Sequence, residues 1–457
     1  MASFITQIKG SGTGQYWADQ SGNPIMMKSD TPWALAYNAG IAGGSTTVAS
    51  DITNYCSTRS GQGFNCFLIN APGTSQTGTT DNGNTWDGVA PFTAPGVLNN
   101  TFWTRVDLVI STAASYGMTV ILNPMFTYCI ADGGGSMAAW SAANFTTYGT
   151  ALGNRYKTAS NLLWEFGDDY GDGFDTFFDN ALTAIRATGD THLISVENLT
   201  PCTARFDIEN SASFAWGTTN AQFQWCYGYG CSYNSVEYAY TEASPLLVMK
   251  MDGTYDDGGN SDPLVYWRNW AWWALSSGSR GLQYGRNDIF PWTSSSLAAL
   301  TNNTFDNTDL GAIWTIFGGL PGWHKLVADT SSALVTAGRG TRWSNSNDNY
   351  TFSDTNTWVT ASLTADGKLG LIYNPAANTQ TITVNGALMV PGYSATWIDP
   401  ITGAKTNAGI SSTYTNASTN SAGAHDWVLA LEGPQATTPP AYAYSMGSAL
   451  WRSPMTR

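Results

Sequence analysis

Six acidic side chains stand where two carboxylates could share one reaction. Asp30, Asp168, Asp169, Glu197, Asp252 and Asp288 each fall at or just beyond the C-terminal end of a short apolar run: PIMMKSD, NLLWEFGDD, HLISVEN, PLLVMKMD and GLQYGRND. Charged residues are only 11% of the chain, so acids gathered at run ends carry information. A protonated carboxyl facing an ionised one is what cleavage of a glycosidic bond requires. Burial among aromatics would raise the pKa of the acid, while hydrogen bonds keep its partner ionised. Each residue also has a structural reading. Asp30 could cap the Thr31-Pro32-Trp33 segment, Asp168 could cap a helix, and Asp288 could pair with Arg286 or Arg280. Glu165, inside its strand and alternating with Trp164, could pair with an Arg.

Aromatic residues at the same run ends form a second signal. Trp33, Trp86, Trp225, Tyr255, Phe290 and Trp292 are placed to stack on the C–H faces of sugars. Trp33, Trp86 and Trp292 are the candidates to line a site, whereas Trp267, Trp270, Trp272 and Trp273, on one helix, read as core. Asp256, Asp257 and Asp262 give the loop GTYDDGGNSDP the composition of a calcium loop, but the order of an EF-hand is missing. There is no Gly-x-Ser-x-Gly elbow with a matching His, no nucleotide-binding glycine fingerprint and no His-Glu-x-x-His. Six Cys without a Cys-x-x-Cys pair and only three His exclude a zinc cage, so no metal or cofactor is expected. Cys226 and Cys231 are spaced for a short disulfide, left open against two thiols, while Cys66 reads as a buried thiol.

The elements that would position these groups follow from periodicity. Through about residue 325, strand-length apolar runs alternate with helix-period segments, the clearest being FWTRVDLVISTAASYG running into MTVILNP. Eight such units with continuously apolar strands predict parallel strands covered on both faces, a (β/α)₈ barrel. The last helix of the set is expected over about Leu310 to Leu326. From about Ala328, NYTFSDTN, TWVTASLTADG, LGLIYNP, TITVNGA, YSATWIDPITG and DWVLALEG alternate between turns, the pattern of a small antiparallel β-sandwich. The expected organisation is a barrel over 1–327, a sandwich over 328–433 and a tail over 434–457.

With 457 residues, 19 Lys plus Arg and 33 Asp plus Glu, the net charge is -14. This disfavours nucleic acid and anionic membrane surfaces and points to a neutral partner. No apolar stretch approaches a membrane span, and no apolar leader is visible at the N-terminus. Few Lys and many Ser, Thr, Asn and Gly match the surface of an extracellular or virion-associated protein. Oligomeric state is not readable.

Taken in order, GNPIMMKSDTPWAL, GFNCFLIN, FWTRVDLVISTAASYGMTVILNP, YGTALGNRYKTASNLLWEFGDD, VMKMDGTYDD and GLQYGRNDIFPW resemble successive motifs of the apiosidase-like glycoside hydrolase barrels. LGLIYNP and ATWIDPITGA look like the β-sandwich that usually follows. The resemblance covers about residues 20 to 430 and rests on the order and spacing of the motifs. It implies a glycoside hydrolase of neutral, pentofuranosyl (arabinofuranose- or apiose-type) wall polysaccharide. Asp169 matches the family's general acid/base, with Asp168 where a Gly usually lies. Asp252 takes the nucleophile position, one methylene shorter than the usual Glu. Retention is the expected outcome, although the shorter arm could widen the carboxyl gap beyond the roughly 5–5.5 Å of retaining enzymes. Asp30 and Trp33 match residues that bind the sugar, and Trp86, Asp168, Glu197, Tyr255, Asp256, Asp288 and Trp292 complete the expected pocket. The alternative is a carbohydrate-binding protein on a decayed barrel, such as a phage tail or receptor-recognition component.

Overall fold

The computed structural model describes residues 2–43, 47–74, 83–131, 135–170, 174–198, 221–227, 231–241, 246–251, 255–256, 264–302, 304–342, 357–375, 379–416 and 418–434; for 168–170, 196 and 198 it describes the backbone alone. The expected strand NYTFSDTN, the loop 204–220 and the tail from 435 lie outside these residues.

Eight parallel strands form the barrel: β1 (Met27–Asp30), β2 (Cys66–Asn70), β3 (Thr119–Asn123), β4 (Leu162–Tyr170), β5 (Ile194–Asn198), β6 (Phe223–Cys226), β7 (Leu247–Lys250) and β8 (Gly281–Tyr284). Their order is β6-β7-β8-β1-β2-β3-β4-β5. The two ends of this sheet meet where the Gln222 amide donates to the Ile194 carbonyl at 3.0 Å. Helices α1 (Val48–Gly61), α2 (Asn100–Ser115), α3 (Ala142–Tyr156), α4 (Asp175–Ala187), α5 (Ser232–Ala239), α6 (Leu264–Ser276) and α7 (Leu310–Gly318) surround it. Local chemistry sets several of their starts: Thr47 and Ser50 form a capping box on α1, and the Asn99 side chain accepts from the Thr101 amide before α2. Two short hairpins, Gln7–Lys9 with Tyr16–Ala18 and Phe92–Ala94 with Val97–Leu98, were not evident from the sequence pattern.

Alternation along each strand divides the core in two. Met27, Cys66, Leu68, Ile121, Leu163, Leu193, Phe223, Trp225, Leu247 and Met249 face inward and fill the barrel with Trp17 and Trp33. Phe67, Ile69, Val120, Leu122, Trp164, Phe166, Val248, Leu282 and Tyr284 face outward and meet the helices. Both faces are buried, which is why the strands read as continuous apolar runs.

Helix α7 ends at Gly318, eight residues earlier than the periodicity predicts. Gly318, Gly319, Pro321 and Gly322 stop it, and Leu326–Ala328 becomes β9 instead. The antiparallel region follows: β10 (Val335–Ala337), β11 (Thr360–Thr364), β12 (Leu369–Asn374), β13 (Thr381–Val384), β14 (Ser394–Ile398), β15 (Lys405–Asn407), β16 (Thr413–Thr415) and β17 (Trp427–Glu432). A six-stranded sheet, β9-β11-β12-β17-β14-β15, packs on a three-stranded one, β10-β13-β16.

Helix α6 lies between the two parts. Trp267 and Trp270 pack on Tyr284 of β8, with ring centroids 5.6 and 6.5 Å apart. On the other side Trp272 stacks on Tyr373 of β12, and the Trp273 Nε1–H donates to the Trp358 carbonyl at 3.0 Å. Arg268 donates to both carboxylate oxygens of Asp426, at 2.6 and 2.8 Å. All four tryptophans are buried, as core residues should be. Cys226 and Cys231 are buried thiols, so the short bridge that their spacing left open does not form. Cys66 is a buried thiol as expected, and burial pushes its pKa up. No helix among the described residues is long and apolar enough to cross a membrane.

Candidate active site

The C-terminal ends of the strands are polar where the lower barrel is apolar. Continuing the inward alternation turns Ser29, Asn70, Asn123, Glu165, Glu197 and Gln283, each at or near the C-terminal end of its strand, toward the lumen. None of the described inward-facing strand residues is Lys or Arg. Glu165 and Glu197 are fully buried on neighbouring strands, with Glu165 opposite Ser195 and Glu197 opposite Gly167. Glu197 was expected here. Glu165, read as alternating away from Trp164, is turned by its strand to the lumen as well.

Between Gly167↔Glu197 and Tyr170↔Asn198 the register of β4 shifts, and Asp168 and Asp169 are the residues in the shift. Gly167 makes the irregularity possible: its φ is 99°, which residues with a Cβ rarely adopt. The Thr127 hydroxyl fixes it by donating to the Gly167 carbonyl at 2.9 Å. The backbone of Asp169 thus stands at the barrel mouth; the side chains of Asp168 and Asp169 are not among the described ones. Asp252 lies outside the described residues, two positions beyond the last residue of β7.

The chain on both sides of Asp252 is fixed. Lys250, fully buried, donates from Nζ to the carbonyls of Cys226 and Met251 at 3.0 and 3.1 Å. Asp256 extends the β7–β8 pairing: its amide donates to Gly285 and its carbonyl accepts from Asn287, both at 3.0 Å. The Asp256 carboxylate is buried and accepts from the Tyr284 hydroxyl. Burial, with Asp306 and Asp256 close by, holds that phenol well above its ordinary pKa, so it remains a donor. Asp256, expected to touch sugar, is engaged in holding this loop.

Aromatics form an arc over the mouth. Trp33 donates from Nε1 to the Tyr255 hydroxyl at 2.6 Å, and its ring centre lies 6.0 Å from that of Phe126. Tyr255 in turn packs on Phe290, 5.4 Å away. The Tyr255 ring rests on Gly285, where an added Cβ would come within 2.6 Å of it. Trp86, 46% exposed, is held on the rim by donating from Nε1 to the Ala39 carbonyl at 2.8 Å.

Three expectations are corrected. Asp30 alternates outward from Met27 and Ser29, to the helix side of the barrel, and is fully buried. Its Oδ2 accepts from Arg59 Nε at 2.6 Å and from the Tyr55 hydroxyl at 2.9 Å, so it anchors α1 rather than facing a sugar. Trp292 is 1% exposed and packs edge-on against Tyr55, 5.5 Å away, which makes it core. Asp288 forms a bidentate pair with Arg286, at 2.9 and 2.6 Å, as its structural reading anticipated.

A parallel barrel whose lumen carries carboxylates, amides and tryptophans, with further acids in the sequence at the end of β4 and beyond β7, has the architecture of a glycoside hydrolase barrel. Residues 11–337 match the apiosidase-like catalytic domain, and the chain belongs to that family. In fold it is similar to a glycoside hydrolase of family 5 from Bacteroides vulgatus, with a TM-score of 0.71 at 17% identity over 94% of this chain and 93% of that one. A second solved glycoside hydrolase gives a TM-score of 0.70 at 17% identity over 94% and 96% of the two chains. At these identities the likeness is one of fold. None of the curated proteins matches the chain in sequence.

Proposed function

We propose that this protein is a glycoside hydrolase acting on a neutral, pentofuranosyl polysaccharide of arabinofuranose or apiose type. Asp169 serves as general acid/base and Asp252 as nucleophile, with net retention. The observation that carries the reading is membership of the apiosidase-like family. The polar upper lumen, free of basic residues among those described, supports it, because a neutral polyol needs hydrogen-bonding groups and stacking rings rather than a counter-charge. Asp168, Glu197, Trp33 and Tyr255 surround the sugar, and Trp86 extends the surface outward. Residues 1–327 form the catalytic part, 328–433 an accessory part, and the protein works outside the cell or on a virion.

Incubation with arabinan, arabinogalactan and apiose-bearing pectin, followed by sizing of products, tests this. Release of free pentose or short pentose oligomers is expected. Glycan binding without any release would instead identify a carbohydrate-binding protein on an inactive barrel.

A further inference from the structure

Apart from Trp17, whose indole lies against Phe223 at the start of β6, three side chains facing the lumen have polar atoms that meet no partner. Both the Oδ1 and Nδ2 of Asn70, the Nδ2 of Asn123 and the Nε1 of Trp225 are buried without a hydrogen bond. The residues are 0%, 0% and 2% exposed. Such atoms are rare in folded proteins, and those retained call for an explanation. Here all three belong to inward-facing positions of the barrel. Asn70 and Asn123 end adjacent strands and stand directly opposite each other in register. Each continues the inward alternation, Asn70 from Cys66 and Leu68, Asn123 from Ile121. Trp225 belongs to the same inner cluster, on β6.

The side chain of Asn123 and the backbone of Asn70 are anchored. Asn123 spends its Oδ1 on the Met125 amide at 3.1 Å, which fixes the plane of the side chain. The Asn70 backbone amide donates to the Trp33 carbonyl at 2.9 Å, which sets Asn70 beneath the Trp33–Tyr255 arc. The unpartnered set offers three uncharged donors and one acceptor. That suits hydroxyl groups, each of which can give and take a hydrogen bond. It does not suit an anion, since no described inward-facing strand residue is basic and Glu165 and Glu197 face the same lumen.

We propose that Asn70, Asn123 and Trp225 are the hydroxyl-binding groups of the deepest sugar subsite, selecting a neutral ring over a uronate. This rests on the glycosidase reading and deepens it. A buried polar group kept for a ligand weakens the free protein, so an apolar replacement that breaks no other hydrogen bond should abolish binding without loss of stability.

The test uses the full chain, with Asn70→Leu, Asn123→Leu and the conservative Trp225→Phe, which removes the indole N–H. Hydrolysis kinetics, thermal midpoint and calorimetric binding of arabinose and galacturonate are measured. The Leu variants should lose at least 100-fold, and the Phe variant about 10-fold, in kcat/KM and arabinose affinity. The midpoints of Asn70→Leu and Trp225→Phe should be unchanged or higher and that of Asn123→Leu lower, because the Met125 amide loses its acceptor, and galacturonate should not bind the wild type. Hydrolysis within threefold of wild type in both Leu variants would overturn the subsite and leave the hydrolase standing. So would lowered midpoints with kcat/KM per folded molecule unchanged, or galacturonate bound as well as arabinose. A wild type that binds arabinose but cleaves nothing, with binding lost in the variants, would remove the hydrolase and keep the subsite. A wild type that neither binds nor cleaves would remove both.

Discussion

Asp30 and Asp288 are the two ends of one chain of ion pairs. Arg59 joins Asp30 to Asp306, and Arg286 joins Asp306 to Asp288. Every member except Asp288 is fully or almost fully buried. The chain ties the end of β1, helix α1 and the loop after β8 into one unit beside the barrel mouth. Burial alone would raise the pKa of Asp306, but Arg59 and Arg286 hold it below its ordinary value.

Removing Arg59 should therefore be severe. Arg59→Met leaves the buried Asp30 and Asp306 carboxylates without their shared cation, and loss of one partner from a buried pair costs about 3–5 kcal/mol. Urea denaturation should show a loss of that order. A change below about 1 kcal/mol would mean that the network contributes little to folding.

The assigned carboxylates make a sharper demand on chemistry. Asp169→Asn and Asp252→Asn should each lower kcat by about 10³-fold or more with the thermal midpoint nearly unchanged. The wild type should first release the sugar anomer that matches its substrate, read by rapid NMR of the product. The opposite anomer would show that the shorter Asp252 arm has shifted the enzyme to inversion.

Tyr255 depends on a missing methyl. In Gly285→Ala the new Cβ has no room against the Tyr255 ring, so the ring must move and the Trp33 hydrogen bond with it. Displacement of a positioning group by about 1 Å can cost about 100-fold in rate. Steady-state kinetics should show kcat/KM falling by at least 10-fold; wild-type values would detach the arc from catalysis.

His324 should shape the acid limb of stability. Burial, aided by Lys325 and Arg280, lowers its pKa from 6.5 to about 4. The unfolded chain then takes up a proton that the folded chain refuses between these values. The contribution is complete above pH 6.5 and is lost as pH falls toward 4. Thermal midpoints measured from pH 7 to 4 should fall less steeply in His324→Gln than in wild type, and equal slopes would assign the acid limb to other groups.

Periodicity carried most of the architecture because both faces of each barrel strand are buried, leaving long apolar runs bounded by Gly and Pro. It misled at places where one residue decides. Asp30 sits at a strand end but on the outward phase, and phase is readable only once the inward residues, Met27 and Ser29, are known. Trp292 lies near the mouth in sequence, yet a φ of 44° turns the chain there and its ring packs into the core. Trp86, by contrast, lies on the surface. Glu165 could have been read as lumen-facing from its alternation with Trp164, had Trp164 been assigned to the helices. Asn70 and Asn123, each closing its run in an identical way (FLIN and VILN), were the legible signal that went unused.

Helix α6 has no side that was built for water. Its residues toward β8 complete the barrel, and those toward β12 and Asp426 lie against the sandwich, down to the carboxylate that neutralises Arg268. A module that can be traded between enzymes leaves its host with a finished surface, and this one would leave an open seam of indole rings and a guanidinium held by Asp309 alone. The two parts are therefore expected to fold as one unit, and a chain shortened before Leu326 should aggregate rather than yield a smaller enzyme.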